Sequence, residues 1–98
     1  MKNLHLDRVL RTASSERFMV RRDEAAIAAL ELHYLASGKV DGTLILFEEA
    51  KVNAEQIPEM LQEIDRRLLP DVSVAEGNLL FTVVVGKVHG SFEPHTGP

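Results

Sequence analysis

The feature of this sequence that most constrains its fold is an uninterrupted apolar run at residues 79–85, LLFTVVV. β-Branched and aromatic residues favour a strand, and seven residues is a typical length for a strand and too short for a helix. Alternate side chains point to opposite faces of a strand, so both faces of this one would be apolar. Such a strand is usually central in a sheet and covered on both sides. We therefore predict a central strand over residues 79–88 that needs two covers.

One cover is predicted by a segment with helical periodicity at about residues 54–69. Asn53 followed by Gln56 is a capping pair at its start, and Pro70 ends it. Its apolar side chains recur at three- and four-residue intervals, as on one stripe of a helix: Ile57, Met60, Leu61, Ile64 and Leu68. A single helix of this length covers only one face of a sheet.

Residues 25–36 can be interpreted in two ways. Their alanine content favours a helix. On that helix, however, Glu31 would fall inside the apolar stripe. On a strand, Leu30, Leu32 and Tyr34 line one face, and Glu31 shares the other with His33. We predict a strand; the alternative is a helix over residues 23–37.

The predicted fold is α+β, with an antiparallel sheet of four or five strands and one long helix packed on one face. The Gly38 turn joins residues 25–36 to a strand at 40–47 as a hairpin. Shorter strands are predicted at residues 18–20 and 71–75, which gives the order β-β-β-α-β-β. The helical alternative at residues 23–37 would give an α-β-α-β-β two-layer sandwich instead. We expect a single domain over residues 1–98, with residues 1–15 as an N-terminal arm or short helix and residues 91–98 as a disordered tail.

The composition excludes several classes of function. The chain has no cysteine, which rules out disulfides, thiolate metal sites and a cysteine nucleophile. No segment reaches the roughly 18 apolar residues of a membrane span, and the N-terminus lacks the apolar core of a signal peptide. We expect a cytoplasmic location, no membrane contact, no metal and no cofactor.

Charge is unevenly distributed along the chain. The formal net charge is −4, yet residues 1–22 contain six basic and only two acidic side chains. A basic arm can bind an anionic partner such as a nucleic acid. The arginines that would do so are Arg8, Arg11, Arg17, Arg21 and Arg22. We favour the alternative that the arm lies against its own acidic body, because a net acidic domain is a poor phosphate binder.

Two pairs of residues are weak candidates for catalysis. Glu31 and His33 would share one face of a strand, and an acid beside an imidazole can act as a general base. Lys87 and His89 form a second pair at the end of the 79–88 strand. If the two strands were neighbours, all four side chains would share one surface of a small enzyme or accessory subunit. A third ligand is missing, so we predict no metal site.

The strongest functional signal is an apolar surplus on the second face of the predicted sheet. Exposing several large apolar side chains costs free energy and promotes aggregation. The predicted interface is Ile27, Leu35, Ile45, Phe47, Leu79, Phe81, Val83 and Val85. A self-complementary two-fold contact is the commonest way to cover such a surface. We therefore predict a non-catalytic binding or assembly module that forms a homodimer, or binds another protein, through an apolar sheet face.

Overall fold

The computed structural model describes residues 1–69 and 77–92. Within those ranges the chain forms five strands and one α-helix. The strands are β1 (Leu4–Arg11), β2 (Ser15–Arg22), β3 (Ala25–Tyr34), β4 (Val40–Phe47) and β5 (Leu79–Gly86), and the helix is α1 (Ile57–Leu68). Two short 3₁₀ turns, Glu48–Ala50 and Ala54–Gln56, connect β4 to α1.

The sheet is mixed, with its strands in the spatial order β1-β2-β3-β4-β5. Strands β1 to β4 form an antiparallel meander, and α1 then carries the chain back so that β5 pairs parallel to β4. The α+β class is confirmed, but the element order is β-β-β-β-α-β. The predicted order β-β-β-α-β-β and the wholly antiparallel sheet are both wrong. The predicted strand at 71–75 lies outside the described residues, as does most of the predicted tail.

The N-terminal segment, which we expected to be an arm or a short helix, is strand β1. Leu4 is buried and Leu6 packs against the core, so strand alternation decides its conformation. The spacing of Leu6, Val9 and Leu10 resembles one stripe of a helix, but all three lie in a strand. A bulge between Arg8 and Leu10 shifts the register there and leaves Val9 and Leu10 exposed.

The strand interpretation of residues 25–36 is confirmed, and the helical alternative at 23–37 is wrong. Leu30 and Leu32 of β3 are fully buried, whereas Glu31 and His33 lie on the opposite face. Strand β3 pairs antiparallel with β4 through facing residues such as Leu30 and Leu44, as the hairpin predicts. Burial of one face has outweighed the helix propensity of the alanines.

The predicted helix is confirmed and covers one face of the sheet. Met60 and Ile64 are fully buried and belong to the same core cluster as Leu30 and Leu44. The backbone N–H of Asn53 donates to Gln56 Oε1 at 3.0 Å just before the helix begins. The other sheet face carries no covering element within the described residues.

Strand β5 is an edge strand, so the prediction that it is central is wrong. On the parity that faces α1, Leu79 is buried and Phe81 and Val83 pack against the core, whereas Val85 is exposed. Leu80 and Val84 belong to the other parity, and both are exposed. The crossover through α1 explains the position, because it places β5 beside β4, and no other described strand pairs with its outer edge.

Candidate functional site

The outer edge of β5 carries backbone groups that no strand in residues 1–69 or 77–92 pairs with. The N–H of Val40 donates to the carbonyl oxygen of Asn78 at 2.8 Å, and Val40 lies opposite Leu79. Because backbone groups alternate in direction along a strand, this hydrogen bond means that the N–H and C=O groups of Leu80, Thr82 and Val84 point toward β4. Those of the alternate residues point away from the sheet: Leu79, Phe81, Val83 and Val85. No strand of the described chain pairs with that edge.

The two edges of the sheet differ in their protection against pairing. Edge strands in soluble proteins usually carry charged side chains, bulges or prolines that block unwanted pairing. The outer strand β1 has Asp7, Arg8 and Arg11 and a bulge between Arg8 and Leu10. Strand β5, with the sequence LLFTVVVG, has no charge and no bulge in its register with β4. The edge of β5 is therefore the one that can accept another strand.

A groove of about 390 Å³ runs between α1 and the edge of β5. It is lined mainly by apolar side chains, together with one amide and one carboxylate: Pro58, Leu61, Gln62, Asp65, Leu79, Leu80 and Phe81. Asp65 Oδ1 is buried and accepts no hydrogen bond within the described part of the chain. A buried carboxylate oxygen without a hydrogen-bond donor costs free energy. A ligand or partner that placed a donor in this groove would therefore be bound favourably.

Exposed apolar side chains add to this edge. Leu80 is 65% exposed, Val84 44% and Val85 62%. Side chains of this kind are individually ordinary on a surface, but here three of them lie on one uncharged strand. The combination of apolar side chains and unpaired backbone is typical of a strand-addition site.

The residues of the predicted interface are divided among four environments. Ile27 and Leu79 lie in the core, and Phe81 and Val83 are half-buried beneath α1. Ile45 and Phe47 are half-buried on the uncovered face. Leu35 is exposed just after β3, and Val85 is exposed on β5. That any of them contacts a partner stays a prediction.

The four candidate catalytic residues do not converge. His33 Nε2 lies 3.8 Å from Glu31 Oε2, but Arg17 Nη2 lies 2.6 Å from the other oxygen of Glu31. Glu31 is level with Thr82 across the sheet. Lys87 follows five residues later, about 16 Å farther along the strand direction, and His89 lies beyond it. The structure thus brings Glu31 and His33 together, but neither of them with Lys87 or His89.

Most of the N-terminal arginines are neutralised by carboxylates of the same sheet. Arg8 Nε lies 2.9 Å from Glu16 Oε1, and Arg11 pairs with the same carboxylate at 3.9 Å. Arg17 is paired with Glu31, as described above. Arg21 binds Asp7, and this hydrogen bond holds the pKa of Asp7 below its usual range. Arg22 alone has no ion pair among the described residues.

The uncovered face separates charged from apolar side chains. Its β1–β3 half carries the Arg21–Asp7 and Arg17–Glu31 pairs, and its β4–β5 half carries Ile45, Phe47, Leu80 and Val84. The described residues contain no group of His, Asp or Glu side chains that could hold a metal ion. No helix within them is long and apolar enough to cross a membrane.

Comparisons of the chain with protein-family models, with curated proteins and with solved structures find no match.

Proposed function

We propose that this chain is a non-catalytic assembly module that forms a symmetric homodimer by pairing strand β5 with β5 of a second copy. The observation that supports this proposal is the difference between the two edges of the sheet. The edge of β1 is charged and bulged, whereas the edge of β5 is apolar and its backbone groups are unpaired among the described strands. Pairing would satisfy those groups and cover Leu80, Val84 and Val85.

An association of this kind closes at two copies. A chain with two adhesive edges would add further chains at both ends and grow into a fibre. In a chain with one adhesive edge, a two-fold contact between two copies buries that edge in both of them, so no further copy can add. The two five-stranded sheets would then join into one continuous sheet with a β1 strand at each end.

The same proposal explains why no element of the described residues covers the outer edge of β5. In the monomer, the groove beside α1 and the outer backbone of β5 are open to water. A second β5 strand would lie against that groove, and its apolar side chains would enter it. The companion surface that the apolar run predicts is then a strand edge rather than a sheet face.

Sedimentation equilibrium over a wide range of protein concentration tests this proposal. We expect the wild-type chain to reach twice its monomer mass of 10.9 kDa. The Val85→Asp variant should dimerise at least about tenfold more weakly, because the charge would lie in the paired edge. Val9→Asp is the matched control, since Val9 is 57% exposed on the opposite edge strand. It should leave the dimerisation constant unchanged.

Circular dichroism and thermal unfolding would establish that both variants are folded. A wild-type chain that stays monomeric at high concentration would contradict the proposal. Weaker dimerisation in Val9→Asp with no change in Val85→Asp would contradict it as well, because the contact would then lie at β1.

A further inference from the structure

We infer that the two β5 strands pair in one antiparallel register, with Thr82 of one copy opposite Thr82 of the other. An ion pair between Asp65 of each copy and Lys87 of the other favours this register. This inference rests on the proposed dimer and specifies how its two edges fit. Three properties of the β5 edge carry it: the direction of the backbone groups, the pattern of side chains and the position of the unpaired carboxylate.

The backbone restricts the possible registers. Two antiparallel strands exchange hydrogen bonds only between residues whose N–H and C=O groups face the partner. On β5 these are Leu79, Phe81, Val83 and Val85, as the Val40–Asn78 hydrogen bond fixes. When Thr82 lies opposite Thr82 of the second copy, all four take part: Leu79 faces Val85, and Phe81 faces Val83. A shift of the centre to Phe81 or Val83 leaves one of the four without a partner.

The side chains fit the same register. On the uncovered face, Leu80 of each copy would lie opposite Val84 of the other, and these are two of the exposed apolar side chains of β5. On the helix side, Val83 and Val85 of the second copy would lie beside Phe81 and Leu79, which line the groove. Cross-strand aliphatic and aromatic pairs stabilise a sheet, so the match favours this register.

The charges complete the fit. Continued past Val85, the strand of the second copy would place Lys87 opposite Gly77, two residues before Leu79. Asp65 lines the groove beside Leu79, and its Oδ1 has no donor within the described chain. Lys87 is exposed, and none of the ion pairs within the described residues includes it. A lysine side chain is long and flexible enough to reach the groove from this position.

Disulfide cross-linking tests the register, because the natural chain has no cysteine. Residues that face each other without hydrogen bonds have Cα atoms about 4.5 Å apart, within the range that a disulfide spans. We expect Thr82→Cys to form a cross-linked dimer on oxidation by copper phenanthroline. Leu80→Cys is the matched control on the same face. It should cross-link poorly, because the two Leu80 positions would be about four residues apart along the strands.

A double-mutant cycle tests the ion pair. Lys87→Glu should weaken dimerisation about tenfold through repulsion of Asp65, whereas Lys87→Arg should retain it. In an Asp65→Asn background, Lys87→Glu should have little effect, because the carboxylate that it opposes is gone. Lys87 is exposed, so its substitution leaves the monomer fold intact.

The outcomes separate this inference from the proposed function. A wild-type dimer in which Leu80→Cys cross-links and Thr82→Cys does not would overturn the register and leave the β5 dimer standing. An equal effect of Lys87→Glu with and without Asp65→Asn would overturn the ion pair. A strict monomer would remove both the inference and the function on which it rests.

Discussion

The aromatic ring of Phe81 on β5 packs directly over the backbone of Gly42 on β4. A Cβ atom at Gly42 would lie only 2.6 Å from Cδ1 and Cε1 of that ring. Glycine at residue 42 therefore provides the space that lets Phe81 enter the core beneath α1. This contact depends on the parallel pairing of β4 with β5, in which Gly42 and Phe81 are facing residues.

Gly42→Ala should lower the free energy of unfolding by about 1–3 kcal/mol, because the ring of Phe81 must move out of a packed position. Gly86→Ala is the matched control, since a Cβ there would meet only Ile45 Cγ2 at 3.9 Å. Urea unfolding at one low protein concentration would measure both variants without a contribution from association. Equal stability of the two variants would contradict the packing of Phe81 on Gly42.

Arg67 should contribute more to stability than its neighbour Arg66, although both bind Glu63. Arg67 Nη1 also donates to the backbone carbonyl of Leu4 at 2.6 Å and so links α1 to β1. Arg66 bonds only within the helix, and its side chain is 69% exposed. We expect Arg67→Ala to lower the free energy of unfolding by about 1–2 kcal/mol in urea unfolding, and Arg66→Ala to have a clearly smaller effect. Similar losses in the two variants would show that the Leu4 contact adds nothing.

Alkaline pH should destabilise the fold through Tyr34. Burial, together with the hydrogen bond that the phenol donates to Glu16, raises the pKa of Tyr34 from its usual value of 10.0 to about 12. A pKa that is higher in the folded chain than in the unfolded chain stabilises the fold below pH 10. That contribution is lost as the pH rises from 10 to 12.

Ultraviolet absorbance of tyrosinate would measure this titration directly, because Tyr34 is the only tyrosine in the chain. The midpoint should lie near pH 12 in the folded protein and near pH 10 in denaturant. The Tyr34→Phe variant should lose the part of the pH dependence of stability that lies between pH 10 and 12. A midpoint near pH 10 in the folded chain would contradict the buried Tyr34–Glu16 contact.

The sequence patterns predict most of the individual elements, because those elements depend on local periodicity. The stripe that contains Met60 and Ile64 identifies α1, and the alternation of Leu30 with Glu31 identifies β3 despite its alanines. The pattern at the start of the chain does not identify β1, because the bulge after Arg8 breaks the alternation of apolar and polar residues. A bulge is set by pairing with β2, which one strand's sequence does not show.

The position of β5 could not be predicted from its own sequence. An apolar run on both parities is typical of a central strand, but it also suits an edge strand that pairs with a second chain. The missing signal was the helix before it, because a strand–helix–strand crossover favours a parallel strand beside β4. Asp65 was also missed, since a carboxylate on a helix is ordinarily solvated, and only the packing of α1 against β5 encloses it.

Amide hydrogen exchange of β5 is the most direct test of the proposed edge pairing. The outward N–H of Val83 should be protected at high protein concentration and should exchange rapidly when the chain is diluted to monomer. The N–H of Val84, which points toward β4, should be protected under both conditions. Rapid exchange of Val83 at every concentration would show that the edge of β5 stays open to water and would contradict the proposed dimer.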